Sequence, residues 1–290
     1  MSVPPAKTRH FVLGWHCVAY LDVLGQRERF PQMTLDKDPE KLTGLMDVLR
    51  DTAGFILDLR DYFDQSFERF EKGILQERYT GDSRFQPKVF SFSDSFVASV
   101  PMRNNTQQVT TSATICSILS AACNVMPFCF ARKHAMRGGI ELGEATELSE
   151  KEIYGSALVT AYRLENEYAK YPRVIVGPKL WEYLRIMHNE HSRFDTPEGR
   201  FVSTVFRQAM DLITVDGDEE KILDYLGPGI QKVAAPDHAK VFVHPSYEFV
   251  LEQQQRWISM DNKKLSERYA LLRKYFESRL HLWGLKPSSS

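Results

Sequence analysis

Two apolar, strand-like runs in this chain each close on an aspartate. The first, Cys17-Val-Ala-Tyr-Leu-Asp22, continues into Val23-Leu24-Gly25. The second, Val89-Phe-Ser-Phe-Ser-Asp94, continues into Ser-Phe-Val-Ala. A carboxylate at a buried strand end is costly to desolvate unless a cation or hydrogen-bond donors compensate it. Taken singly, a strand-end Asp serves equally well as a turn cap. As a pair in one sheet, two such ends supply oxygen ligands of the kind that hard divalent cations take. Paired metals about 4 Å apart suit in-line displacement at phosphorus. Everything therefore turns on whether the two strand ends meet.

The elements around them alternate. Residues 11–24 read as a buried strand, and 39–79 as helical, with Leu42, Leu45, Met46 and Leu49, then Phe55, Leu59, Tyr62 and Phe63, at helical spacing. Thr80-Gly-Asp-Ser83 breaks that run. Residues 88–101 read as a hairpin in which a regular period of two places Phe90, Phe92 and Asp94 on one face. A second helix is expected over 106–126, with Ile115, Ile118, Leu119 and Ala122 as its stripe. A third strand follows over 135–146, where Gly138-Gly139 marks a close backbone approach. Gly155 opens a helix through Lys170, Arg173-Val-Ile-Val-Gly177 is a short strand, and Pro178 starts a helix to Met187. Residues 200–215 read as one or two further strands. Asp216-Gly-Asp-Glu-Glu220 is a turn into an acidic helix start, and 244–283 reads as one or two charged helices with Leu271, Leu272, Tyr275, Phe276 and Leu280 as their apolar stripe. This order argues for a sheet with helices packed on it.

The 290 residues carry 37 Lys and Arg against 38 Asp and Glu, and 43% are hydrophobic. A sizeable core is therefore expected, and the balanced charge offers no electrostatic case for nucleic acid as the main partner. Cys17, Cys116, Cys123 and Cys129 show neither CxxC pairing nor a disulfide framework, and read as buried reduced thiols of a cytoplasmic protein. The polar start is not a signal peptide, and no uninterrupted apolar stretch reaches membrane-spanning length, so no membrane partner is expected. The expected layout is a flexible N-terminus over 1–10, a catalytic domain over 11–215, a helical extension over 216–285 and a disordered tail over 286–290.

Three further features have a plain and a functional reading. Val23-Leu24-Gly25-Gln26 is a tight turn into a short helix, whose free N–H groups would suit phosphate; Arg27 and Arg29 follow. Arg163 is either an arginine snorkelling from an amphipathic helix and paired with Glu167, or a guanidinium facing phosphoryl charge. His188-Asn-Glu-His191 has ligand spacing, but no second cluster completes a metal site. His16 and His134 read as packing residues.

In order, these segments resemble the class III nucleotide cyclase catalytic domain: Tyr20-Leu-Asp22-Val-Leu-Gly25, Phe92-Ser-Asp94-Ser, Arg137-Gly-Gly-Ile-Glu-Leu-Gly143, Gly155-Ser-Ala-Leu-Val-Thr-Ala-Tyr-Arg163-Leu-Glu165 and Arg173-Val-Ile-Val-Gly177. The resemblance spans roughly 11–190. Where purine cyclases carry a base-reading Lys or Glu, this chain has Phe90. It has Glu152 where Asp or Cys is usual and Val159 where the family's helix has Asn, and the family's Val-Lys-Gly lysine has no counterpart that can be placed. Intact metal aspartates beside an altered base site look like the bacterial pyrimidine cyclases of the Pycsar antiphage systems.

That resemblance implies an α+β fold: a class III cyclase-like sheet with a ferredoxin-like βαββαβ core, helices packed on one face, and a C-terminal helical extension. It implies conversion of UTP to 3′,5′-cyclic UMP and pyrophosphate, with CTP the alternative substrate, a purine nucleotide a further one, and a non-catalytic sensor module the reading from a different class. Two Mg²⁺ or Mn²⁺ ions would bind Asp22, Asp94 and the Val23 carbonyl. The backbone of Leu24, Gly25 and Gln26 would cradle the phosphates, and Phe90 and Glu152 would face the base. Arg163 would reach the site from the second chain of a homodimer. A separate effector that senses the cyclic nucleotide is implied in the same way.

Overall fold

The computed structural model describes residues 12–25, 39–75, 86–102, 108–149 and 152–288. The first strand, β1 (Gly14–Leu24), alternates strictly. Cys17, Ala19, Leu21 and Val23 point into the main core, while Val18, Tyr20 and Asp22 point to the opposite face. A helical segment follows as α1 (Pro39–Leu49), a π-helical turn over Arg50–Gly54, and α2 (Phe55–Leu75). Phe55, Leu59, Phe63, Phe67 and Phe70 of α2 are buried at helical spacing. On α1 Leu45 is buried, while Leu42, Met46 and Leu49 of the expected stripe are exposed. The break expected at 80–83 lies outside the described residues.

The hairpin is β2 (Lys88–Phe92) and β3 (Ser95–Pro101). After it, α3 (Gln108–Ala131) crosses the centre of the fold and is longer than the sequence suggested. It is buried on every side, so an apolar stripe understates it. The helix is long and apolar enough to cross a membrane, yet its apolar window lies entirely inside the fold. Helix α2 packs along it, and Asn124 donates to Tyr62 Oη and Ser66 Oγ at 3.0 and 2.8 Å. All four cysteines are buried and unpaired.

The rest of the sheet comprises β4 (Ala135–Ser149), β5 (Glu152–Gly155), β6 (Val174–Val176), β7 (Ile213–Val215) and β8 (Lys221–Leu223). Their order is β2-β3-β1-β4-β6-β8-β7, with β5 on the far end of β4. The strands β2, β3, β1 and β4 are mutually antiparallel, and β6 runs parallel to β4. The fold is α+β.

Several sequence expectations are corrected here. Helices do not occupy one face alone. The main core joins α2 and α3 to one face of the sheet, whereas α4 (Ser156–Arg163) packs on the other, burying Ala157 and Ala161 against Val18, Val97 and Ala145. Residues 200–210 are helical: α5 (Pro178–His191) leads to α6 (Pro197–Met210), capped by Thr196 accepting from the Gly199 N–H. The Val202, Val205, Phe206 and Ala209 spacing is helical, and β-branched residues misled the strand reading. Asp216–Glu220 turns β7 into β8, not into a helix, and the expected boundary at 215 falls inside that hairpin.

The C-terminal part covers the core. It contains a short α7 (Pro228–Gln231), then α8 (His244–Ser259) and α9 (Lys263–Arg279). Leu272, Tyr275, Phe276 and Leu280 are buried as expected, but Leu271 is exposed. Tyr275 Oη donates to the buried Asp224 carboxylate at 2.9 Å, Arg279 Nε donates to the same group at 3.0 Å, and Leu226 N–H donates back to Tyr275 Oη. This fastens α9 to the strand end. Lys286–Ser288 lies beside α8, where Ser288 N–H reaches Tyr247 Oη.

Candidate active site

The two strand ends meet. In the β1–β3 register Asp22 is opposite Ser95, and the Val23 N–H donates to the Asp94 carbonyl at 2.9 Å. The hairpin needs only Ser93 and Asp94 to turn. Ser93 takes a left-handed φ of 55°, and Ser95 Oγ closes the turn on the Phe92 carbonyl at 2.9 Å. Asp94 is therefore a turn residue and does not continue the face of Phe90 and Phe92, because the strand ends at Phe92. Both carboxylates are half-buried.

On its other side Asp22 is opposite Arg137 of β4. The Arg137 guanidinium forms a 2.6 Å ion pair with Glu165 and also donates to the Ala169 carbonyl at 3.3 Å. Two segments singled out in the sequence thus interlock: Arg137 belongs to the Arg-Gly-Gly-Ile strand and Glu165 to the Arg-Leu-Glu helix end. Beside them Tyr20 lies edge-on to Tyr162 of α4, ring centroids 5.3 Å apart, and hydrogen-bonds Ser95. Burial raises the Tyr20 phenol above its ordinary range, with the nearby Asp22 charge adding to the shift. The roles of Glu165 and Tyr20 were not foreseen. The period of two along β1, which puts Tyr20 and Asp22 on one face, was the available signal.

Gly139 explains how α4 comes so close. A Cβ there would lie 2.2 Å from the Ala161 carbonyl oxygen and 2.6 Å from Leu164 Cβ. Ala157, Ala161 and Leu164 thus form the sheet-facing side of the helix. Tyr162 leans toward β1, and Arg163 borders a cleft with Tyr168, Val176 and Lys221 on the flank toward β6 and β8. Arg163 pairs with Glu167 at 2.8 Å and is largely exposed.

Leu24 and Gly25 end β1, with Gly25 at φ +86°, a conformation L side chains rarely adopt. Gln26, Arg27 and Arg29 lie outside the described residues. Phe90 is opposite Val97, itself opposite Tyr20, so it stands one register step beyond Asp22 on the same face. Glu152 is exposed and opposite Ser149, at the far end of β4. Ten residues of β4 separate that row from Gly139, the partner of Tyr20, a distance on the order of 30 Å along an extended strand. One chain does not bring Phe90 and Glu152 together.

Among the described residues no group of three or more His, Cys, Asp or Glu converges on one point. Two half-buried aspartates at adjoining strand ends do not fit a structural zinc site, which wants four N or S ligands. They do fit a magnesium-type ion, which binds through one or two carboxylates, waters and substrate phosphates. The remaining motif residues are structural. Arg173 is buried and held by Asp216, by Asp218 at 2.8 Å and by the Tyr168 carbonyl. His188 Nδ1 sits 3.0 Å from Ser203 Oγ, and His16 Nδ1 lies 3.0 Å from Ser99 Oγ. His134 stacks on Phe55.

No family model and no curated protein matches the chain. Among solved structures, the adenylyl cyclase CyaB from P. aeruginosa is similar at 12% identity and a TM-score of 0.39, over 61% of this chain and 84% of that one. That overlap is too loose to transfer a fold or an activity, so the functional reading rests on the residues themselves.

Proposed function

We propose that this protein is a nucleotide cyclase, with UTP as the favoured substrate and 3′,5′-cyclic UMP and pyrophosphate as products. The observation that carries the reading is the adjacency of Asp22 and Asp94, built by the register of β1, β3 and the Ser93-Asp94 turn. The β4-β1-β3-β2 order, with α2 and α3 joining the strands, is the arrangement expected of a ferredoxin-like βαββαβ core and gives the reading its frame.

In this reading Asp22 and Asp94, with the Val23 carbonyl, hold Mg²⁺ or Mn²⁺. When bound, such ions supply Lewis acidity and charge neutralisation at the reacting phosphate. The backbone of Leu24 and Gly25 orients the phosphate chain at a turn where no Cβ intervenes. The ribose 3′-oxygen bonds to the α-phosphorus, the bond to the β-phosphate oxygen breaks, and the hydroxyl proton passes to solvent. The protein contributes position and electrostatics rather than a covalent intermediate.

Arg163 stabilises the growing phosphoryl charge from the second chain of a homodimer. Its exposure, and its place in a cleft with Val176 of β6 and Lys221 of β8, support this over a site within one chain. Exposed Phe92, Val159 and Tyr162 give a second copy apolar area to cover. Phe90 narrows the space where a base would sit, which favours a pyrimidine over a purine. CTP is the alternative substrate. A cyclic pyrimidine made this way would act on a separate sensing effector in antiphage defence.

The test is incubation of the protein with UTP, CTP, ATP or GTP and Mn²⁺, with products separated by chromatography. Cyclic UMP that disappears in Asp94→Asn is the expected result. A cyclic purine product would remove the Phe90 argument. No cyclic product from any of the four would remove the enzyme reading in favour of a binding module.

A further inference from the structure

A cleft of about 490 Å³ opens at the end of β1, between the strand turn and the C-terminal helices. Leu24 and Gly25, Lys133 and Arg137, Arg256 and Trp257 of α8 and Arg268 of α9 line it. No carboxylate lines it among the described residues. Arg137 is also the cross-strand neighbour of Asp22, so cleft and aspartates share one end of the sheet.

The charges here are unevenly matched. Arg137 has Glu165, and Lys133 pairs with Glu252 at 2.8 Å on the exposed rim. Among the described residues neither Arg256 nor Arg268 has a carboxylate partner; Arg256 instead stacks on Trp257, 4.9 Å from its ring centroid. Partial burial, and then the charge of Arg137, lower the proton affinity of Arg268, which lines the same cleft as Arg137 and Arg256. Two buried donors on lining residues, Arg137 Nε and Trp257 Nε1, also have no acceptor among the described residues. A neighbouring cleft of about 570 Å³ shows the contrast, because its Arg173 is matched by Asp216 and Asp218. Converging, uncompensated cations beside unfilled donors are a cost to the fold that a multiply charged anion repays.

We propose that this cleft is a subsite for condensed phosphate, in which Arg256 and Arg268 bind the terminal phosphates of a chain whose other end lies at Asp22 and Asp94. The C-terminal helices are then part of substrate binding and not only cover for the core. The placement of the reacting end rests on the cyclase reading; binding of condensed phosphate stands without it.

The experiment is calorimetric titration of tripolyphosphate, in EDTA, into wild-type protein, an Arg256→Ala/Arg268→Ala double variant, Asp94→Asn, and Lys263→Ala/Lys264→Ala. The last removes the same charge from exposed positions on α9. Wild type and the lysine variant should bind alike, Asp94→Asn at least as tightly because it loses a negative charge near the other end of the chain, and the arginine variant at least about tenfold more weakly, with Arg256→Lys/Arg268→Lys intermediate. UTP should compete and UMP should not. If wild type ignores tripolyphosphate, if both double variants weaken equally, or if UMP competes as well as UTP, the subsite is wrong. Catalysis separates the two ideas. Arginine-dependent tripolyphosphate binding in a protein that cyclises nothing keeps the subsite and sinks the cyclase. An arginine variant that cyclises UTP with unchanged KM sinks the subsite and keeps the cyclase.

Discussion

The Val23 N–H donates to the Asp94 carbonyl at 2.9 Å, which ties the end of β1 to the hairpin turn and makes Asp22 and Asp94 neighbours. A two-residue turn leaves no slack. Lengthening it by one residue would move Asp94 off the β1 end while leaving the strands paired. A glycine inserted after Ser93 should therefore cost metal-dependent turnover far more than it costs melting temperature, when activity and thermal unfolding are measured on the same preparation.

Arg137 and Glu165 form an almost buried pair beneath Asp22. Breaking such a pair from one side leaves an uncompensated charge and costs about 3–5 kcal/mol. Glu165→Ala should lose stability on that scale in urea unfolding, with Arg137→Met/Glu165→Leu recovering much of it. Equal loss in the single and double variants would mean that the pair is not the cause.

Gly139→Ala places a methyl group against the Ala161 carbonyl and Leu164, both backbone or first side-chain atoms that cannot swing aside. The helix must shift outward, at a cost of about 1–3 kcal/mol for overpacking. The same shift moves Tyr162 and Arg163, so activity should fall beyond what the lost stability explains. Retained activity with a normal midpoint would show that α4 does not need this close seat.

His238 is buried against Phe242 and Trp283, and desolvation holds its imidazole down to about 4, from an ordinary 6.5. The unfolded chain therefore binds the proton first as pH falls. The neutral native form contributes stability that is complete above about 6.5 and is lost progressively down to about 4. The difference in unfolding free energy between wild type and His238→Phe should drift with pH across that window, wild type losing ground on the acid side. A pH-independent difference would contradict the buried neutral state.

The cysteine thiols are buried, and desolvation pushes Cys116 up to about 12, Cys17 and Cys129 higher still, and Cys123 well above its ordinary range. A thiol-reactive dye should label none in native protein and all four after denaturation.

Strand β1, the β2–β3 hairpin and β4 were legible because they carry local signals: apolar alternation, the hairpin spacing and the paired glycines of β4; that the ends of β1 and the hairpin adjoin is a matter of register, which those signals leave open. The 200–210 segment misled because Val202, Val205 and Phe206 carry strand propensity, while their spacing of three and four, together with the Thr196-Pro197 start, decides for a helix. The Phe90 and Glu152 pairing came from aligned motifs, and the register of β5 on β4 puts them at opposite ends of the sheet. Nothing local announces that Arg256 and Arg268, far along the chain, come to lie beside the turn after Asp22. That contact is made by the packing of α8 and α9 on α3, a tertiary fact with no short-range pattern.

The most direct measurement is cyclic-product formation from UTP by Asp94→Asn, by Arg163→Ala and by an equimolar mixture of the two, beside wild type. Each variant alone should lose most activity, about 10²–10³-fold for the arginine. The mixture should recover part of it, because a mixed dimer holds one site with Asp22, Asp94 and Arg163 all intact. A wild type that yields no cyclic product, or a mixture as silent as its components, contradicts a cyclase whose site is shared between two chains.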